Sequence, residues 1–151
     1  MAIFESDNFG KSILSPQSAG EVYVSDDRVT LPDTLTVGDL VKIGYLPADC
    51  MPVDLIVRTQ ELDENATDLL RFTIGLLNAA GDDLVASSDL ITGAQAEAVK
   101  TIRGDGVGFL AITRDKVNDR ILAIKVTAAA ETAAAGIIRA ILSFRSSDYG
   151  V

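Results

Sequence analysis

The stretch from Thr36 to Val85 constrains the fold of this chain more than any other. It opens with TVGDLVKIGYLPADC and continues through VDLIVRT to RFTIGLLNAAGDDLV. Apolar residues alternate with polar ones, most clearly at Leu70, Phe72, Ile74 and Leu76. A period of two is the signature of a strand with one buried face. Val53, Leu55 and Val57 against Asp54 and Arg58 read the same way. Gly38-Asp39 opens a strand that Pro47 closes, since proline offers no N–H to a ladder. In that strand Val41, Ile43 and Tyr45 share one face, and Leu40, Lys42 and Leu46 the other.

The same punctuation runs along the chain. Val22-Val24 and Val29-Leu31 read as two short strands, the first closed by Asp26-Asp27. Lys100–Arg103 and Gly108–Thr113 read as strands around the turn Gly104-Asp105-Gly106. Ile121–Thr127 buries Leu122, Ile124 and Val126, and the last strand buries Ile138, Ala140, Leu142 and Phe144. Residues 92–98 have the composition for one or two helical turns. The alanine run 128–135 is helix-prone by propensity, but its short length and Gly136 favour a loop. About eight strands without a long helix point to an all-β sandwich or barrel. Residues 1–20 keep neither period and read as an extended N-terminal arm, leaving 21–151 as a single β-sandwich domain.

Composition narrows the function. The 151 residues include 48% hydrophobic but only 5% aromatic side chains, so the core must be aliphatic. A net charge of −9 argues against direct contact with nucleic acid, where Lys and Arg displace counterions, and against anionic membranes. Histidine is absent. That removes the usual general base, the Ser-His and Cys-His nucleophile pairs and most zinc sites. Cys50 is the single cysteine and reads as a small turn or core residue. Asp26-Asp27 and Asp82-Asp83 are neighbours in sequence, and neighbours on a strand point to opposite faces, so neither is an acid/base dyad. The denser set Glu61, Asp63, Glu64 and Asp68 lacks the register of a calcium loop and reads as a solvated loop. Gly104-Asp105-Gly106-Val107-Gly108 lacks the Lys-Ser/Thr of a phosphate loop and reads as a tight hairpin with a bulge. No catalytic residue, metal ligand or cofactor site emerges, and the chain reads as non-enzymatic.

Taken in order, several short signatures resemble the small capsid cement, or decoration, proteins of tailed bacteriophages. They are Gly38-Asp39, Leu46-Pro47-Ala48, Val53-Asp54-Leu55, Leu62-Asp63 and the strand Phe72 to Asn78. Ile124-Lys125-Val126, Ala133-Ala134-Ala135-Gly136, Ile138-Arg139 and Phe144-Arg145-Ser146 complete the set. The resemblance covers roughly residues 20–146, and the arm matches only at Leu14-Ser15 and Gln17. It implies a jelly-roll sandwich on the outer surface of a capsid, made in the host cytoplasm, with the major capsid protein as partner and no enzyme activity. A homo-oligomer is expected, a dimer ahead of a trimer. The alternative is a receptor- or carbohydrate-binding β-sandwich of a tail or fibre, which needs aromatic platforms that a chain without Trp and with three Tyr hardly supplies. Large apolar groups in irregular terminal segments are costly to leave in water, so Phe4, Phe9, Ile13, Leu14 and Tyr149 are the candidate partner contacts.

Overall fold

A computed structural model describes residues 1–7, 9–10, 21–65, 67–95 and 100–146. Its strands are β1 (Ile3–Glu5), β2 (Val22–Leu31), β3 (Leu40–Leu46), β4 (Cys50–Thr59) and β5 (Arg71–Leu76). They continue with β6 (Ile91–Gln95), β7 (Lys100–Arg103), β8 (Arg120–Ala128) and β9 (Gly136–Ser146), and one short helix, α1 (Gly108–Ala111), lies between β7 and β8.

The pairing is nested. β2 pairs with β9, β3 with β8, β4 with β7 and β5 with β6, all antiparallel. The chain from β2 to β5 therefore folds back on the chain from β6 to β9 as one long hairpin. Two further antiparallel pairs, β4–β9 and β5–β8, roll that hairpin into two sheets. One sheet runs β2-β9-β4-β7, and the other β1-β3-β8-β5-β6. Eight strands wound in this order make a jelly roll, as expected.

The core lies between the sheets and is aliphatic. Val41, Ile43, Leu55, Val57, Phe72, Ile74, Ile124, Val126, Ile138 and Leu142, the positions that alternation places inside, are each at most 3% exposed. Phe72 and Phe144 are the largest fully buried side chains.

Two bulges change what alternation implies. Val53 is an extra residue between Pro52 and Asp54, and it is exposed, whereas Leu55 and Val57 stay inside. Between Lys42 and Gly44 the register of β3 slips by one, which turns Leu46 inward and Tyr45 outward. A bulge inserts one residue into one strand only and re-aims all that follow.

Other segments also differ from the sequence reading. Val22–Leu31 is one continuous strand, because β9 pairs with it through Asp26 and Asp27. Ile91–Gln95 is strand, paired with β5, and not helix; residues 96–99 lie outside the described set. Gly108–Ala111 is a helical turn and not a strand. The alanine run forms a loop, with a single bridge from Ala133 to Asp63.

Within the first segment, Ile3–Glu5 adds a parallel strand to the β3 edge. The buried Asp39 carboxylate accepts the Ala2 N–H at 2.6 Å and the Thr36 N–H at 2.9 Å, tying that strand to the turn before β3.

Candidate partner-binding surfaces

The jelly roll gathers its connections at two ends. One end holds the β3–β4, β5–β6 and β7–β8 connections, and its backbone is tightly fixed. The Gly106 N–H donates to the Leu90 carbonyl at 2.9 Å, and the Gly108 N–H to the Asp89 carbonyl at 2.7 Å. A Cβ on Gly106 would fall 2.0 Å from the Asp89 carbonyl oxygen, and one on Gly108 would fall 2.4 Å from that of Ser88. The glycines let two backbones touch. The run Gly104–Gly108 is thus a packing device, and not the simple hairpin its composition suggests.

Side chains lock the same end. Asp49 pairs with Arg114, and the Ala48 N–H donates to Asp119 at 2.7 Å. Asp115 accepts the N–H groups of Val117 and Asn118, and these bonds hold its carboxyl below the usual range. Arg120 donates to the carbonyls of Thr113 and Cys50, both at 2.6 Å. Cys50 is buried, as expected of a small core residue, and burial pushes its thiol pKa up. An open cleft of about 380 Å³ lies here, between Leu76, Ser88, Ile112 and Arg120.

On this frame stand apolar tips. Ile112 is buried and Phe109 packs against the core, which turns Leu110 and Ala111 outward. Leu110 is 95% exposed, Val117 82% and Val107 61%, and Val85 from the neighbouring connection is also exposed. Only Leu110 of this group lies in Gly108–Thr113, which sequence alone reads as a strand; Val85, Val107 and Val117 carry no sequence signal of their exposure.

The terminal candidates fall differently. Phe4 sits in β1, half-buried against the core. Phe9 stacks on Tyr45 with ring centroids 4.9 Å apart, and the Lys42 ammonium lies 5.3 Å above its ring. Both rings therefore find much of their shelter on their own domain. Ile13, Leu14 and Tyr149 lie outside the described residues.

The acidic loop before β5 corrects the solvated reading at one residue. Asp63 is 0% exposed. Its Oδ2 accepts the N–H groups of Leu69 at 2.8 Å and Leu70 at 3.3 Å, and its Oδ1 those of Asn65 at 3.3 Å and Thr132 at 3.1 Å. Burial alone would raise its pKa, but these backbone hydrogen bonds outweigh burial and lower it. The carboxylate is saturated by the protein itself. Among the described residues, no three His, Cys, Asp or Glu side chains gather as a metal site, and no helix is long and apolar enough to cross a membrane.

The jelly-roll sandwich thus presents apolar tips on a rigid end. No known family matches the sequence, and no curated protein matches it. Solved structures do match the fold. A chain in the capsid of Ralstonia phage GP4 superposes with a TM-score of 0.84 at 22% identity, over 97% of this chain and 99% of that one. A chain in the capsid asymmetric unit of cyanophage Pam1 superposes with a TM-score of 0.64 at 22% identity, over 90% of this chain and 94% of that one. At this identity the likeness establishes the fold.

Proposed function

We propose that this protein is a non-enzymatic virion component that binds the outside of a phage capsid and stabilises contacts between major capsid protein subunits. The observation that carries the reading is the end-to-end match, over 97% of this chain, to a chain in the Ralstonia phage GP4 capsid. The ordered signatures between residues 20 and 146 support the cement role within that setting.

The physical basis is linkage. A protein that binds only the assembled lattice stabilises that state by mass action. Leu110, Val107 and Val117 supply apolar groups on a rigid end, and covering one such side chain contributes roughly 1.5–3 kcal/mol. Many copies on a lattice act together, and association of the protein with itself as a dimer adds to the effect. Phe4, Phe9, Ile13, Leu14 and Tyr149 remain contacts in this proposal, with Phe4 and Phe9 offering the faces that their own domain leaves uncovered.

Cosedimentation with purified capsids of the phage that encodes the chain tests the reading. The folded protein is expected to pellet with capsids and to raise their resistance to heat or chelator. A folded protein that stays in the supernatant at saturating capsid concentration would overturn it.

A further inference from the structure

The outer face of the β2-β9-β4-β7 sheet carries charge against the sign of the whole molecule. Arg28 lies directly opposite Arg139, and Arg139 directly opposite Arg58. Three arginines thus form a cross-strand row, with neighbouring Cα atoms about 4.5–5.5 Å apart. Like charges opposed in this way destabilise a sheet. Arg103 and Arg145 point from the same face, so five of the chain's 13 basic side chains share it, although the net charge is −9.

The face already shows how it holds carboxylates. Asp26 meets Arg139 side-on, through Nε to Oδ1 at 2.6 Å and Nη2 to Oδ2. Asp54 meets Arg103 in the same fork, through Nε to Oδ1 at 3.1 Å and Nη2 to Oδ2 at 3.0 Å. Arg28 is held by Asp7 at 3.0 Å. Arg58, at the end of the row, has no carboxylate partner among the described residues, and neither has Arg145. Beside the row, Ile141 and Ile56 oppose each other half-buried, giving a partly apolar strip next to the Arg58 guanidinium.

We propose that this sheet face binds a carboxylate-rich segment of a protein partner, whose Asp or Glu side chains complete the ladder of forks at Arg58 and whose apolar atoms rest on Ile56 and Ile141. The planar guanidinium fork matches carboxylate geometry, and the two intramolecular forks show the required orientation to be available. Nucleic acid fits less well, because the remaining surface of the molecule is strongly acidic and would repel a long polyanion. The inference stands on the charges of the sheet alone and does not depend on attachment to a capsid.

The test is titration of the full-length protein with a poly-glutamate peptide at low ionic strength, beside a short DNA duplex and beside the protein without ligand in sedimentation. Saturable peptide binding is expected, weakened roughly tenfold or more by Arg58→Glu and by added salt, with Arg58→Lys intermediate because it keeps the charge but loses the fork. Arg58 is exposed and opposes Arg139, so a cooperative thermal unfolding no lower than that of the unaltered protein should certify each variant. Peptide binding that is absent, or indifferent to Arg58→Glu, would overturn the proposal. So would tighter binding of the duplex than of the peptide. Self-association abolished by Arg58→Glu would also overturn it, by making a second copy of the chain the occupant.

Discussion

Asp63 and Thr132 are 69 residues apart in sequence, and the carboxylate of one accepts the backbone N–H of the other at 3.1 Å. Through its remaining bonds the same carboxylate closes the connection before β5. One side chain therefore ties the β4–β5 connection to the β8–β9 connection. Asp63→Ala leaves these N–H groups without their acceptor in a buried place. A loss of about 2–4 kcal/mol is expected in denaturant unfolding. A loss under half a kilocalorie would show that water replaces the carboxylate.

Acid should expose the same dependence. The Asp63 and Asp39 pKa values are both lowered from the ordinary 3.8, with burial opposing the shift and backbone hydrogen bonds exceeding it. A depressed folded value means that the unfolded chain takes up the proton first. The two carboxylates thus contribute their full stabilisation above 3.8, and lose it as pH falls through their folded values. The melting temperature should drop below that point. In Asp63→Asn the drop should be shallower and start from a lower plateau. Parallel curves for the two proteins would contradict the assignment.

Phe72 fills the centre of the sandwich at 2% exposure. Phe72→Ala is expected to cost about 3–5 kcal/mol, from lost transfer energy and the cavity left behind. The alternating run around it is also the part of the fold most legible from sequence. Leu70, Phe72, Ile74 and Leu76 are all buried, because alternation reports directly which face meets the other sheet, whereas Val53, which the same alternation places beside Leu55 and Val57, is exposed at a bulge.

What sequence does not show has a local physical cause in each case. The bulge at Val53 reverses one side chain without any glycine to announce it. Ile91–Gln95 has weak strand propensity and is strand because β5 offers it an edge. Asp63 looks like any loop acid: three of its donors, at Asn65, Leu69 and Leu70, are local, but the fourth, Thr132, comes from a connection 69 residues away. The arginine row is equally hidden: Arg28, Arg58 and Arg139 become neighbours only once the strand order is known. Leu110 is hidden as well, because Gly108–Ala111 is a helical turn where the sequence suggests a strand.

Gly106→Ala tests the fixed end of the sandwich. The added methyl would collide with backbone atoms of Asp89 and Leu90, at 2.0 and 2.7 Å, and backbone yields poorly. A destabilisation of about 1–3 kcal/mol is expected, with faster hydrogen exchange across residues 104–112. Wild-type exchange in that segment would mean that the contact is looser than the geometry implies.

Leu110→Asp separates contact from stability. The side chain is almost wholly in water, so unfolding should shift by no more than about 0.5 kcal/mol. Capsid cosedimentation should fall, because a charge would then have to be desolvated at the contact. Unchanged binding would move the contact to another face.

The nested pairing also sets a timetable. Among the nested pairs β5 and β6 are the nearest in sequence, separated by residues 77–90, whereas β2 must find β9 across nearly the whole chain. Closing a longer loop costs more entropy, by about 0.6 kcal/mol per doubling, unless inner pairs have already shortened the effective distance. Folding should therefore nucleate near residues 71–95 and wind outward, on the millisecond-to-second scale of sheet proteins dominated by distant pairings. Pulse-labelled exchange should find amides of β5 and β6 protected before those of β2; simultaneous protection would refute that order. On this order, the arginine row comes together only when the last strands dock, so a newly made chain shows that face only after the rest of its sandwich is in place.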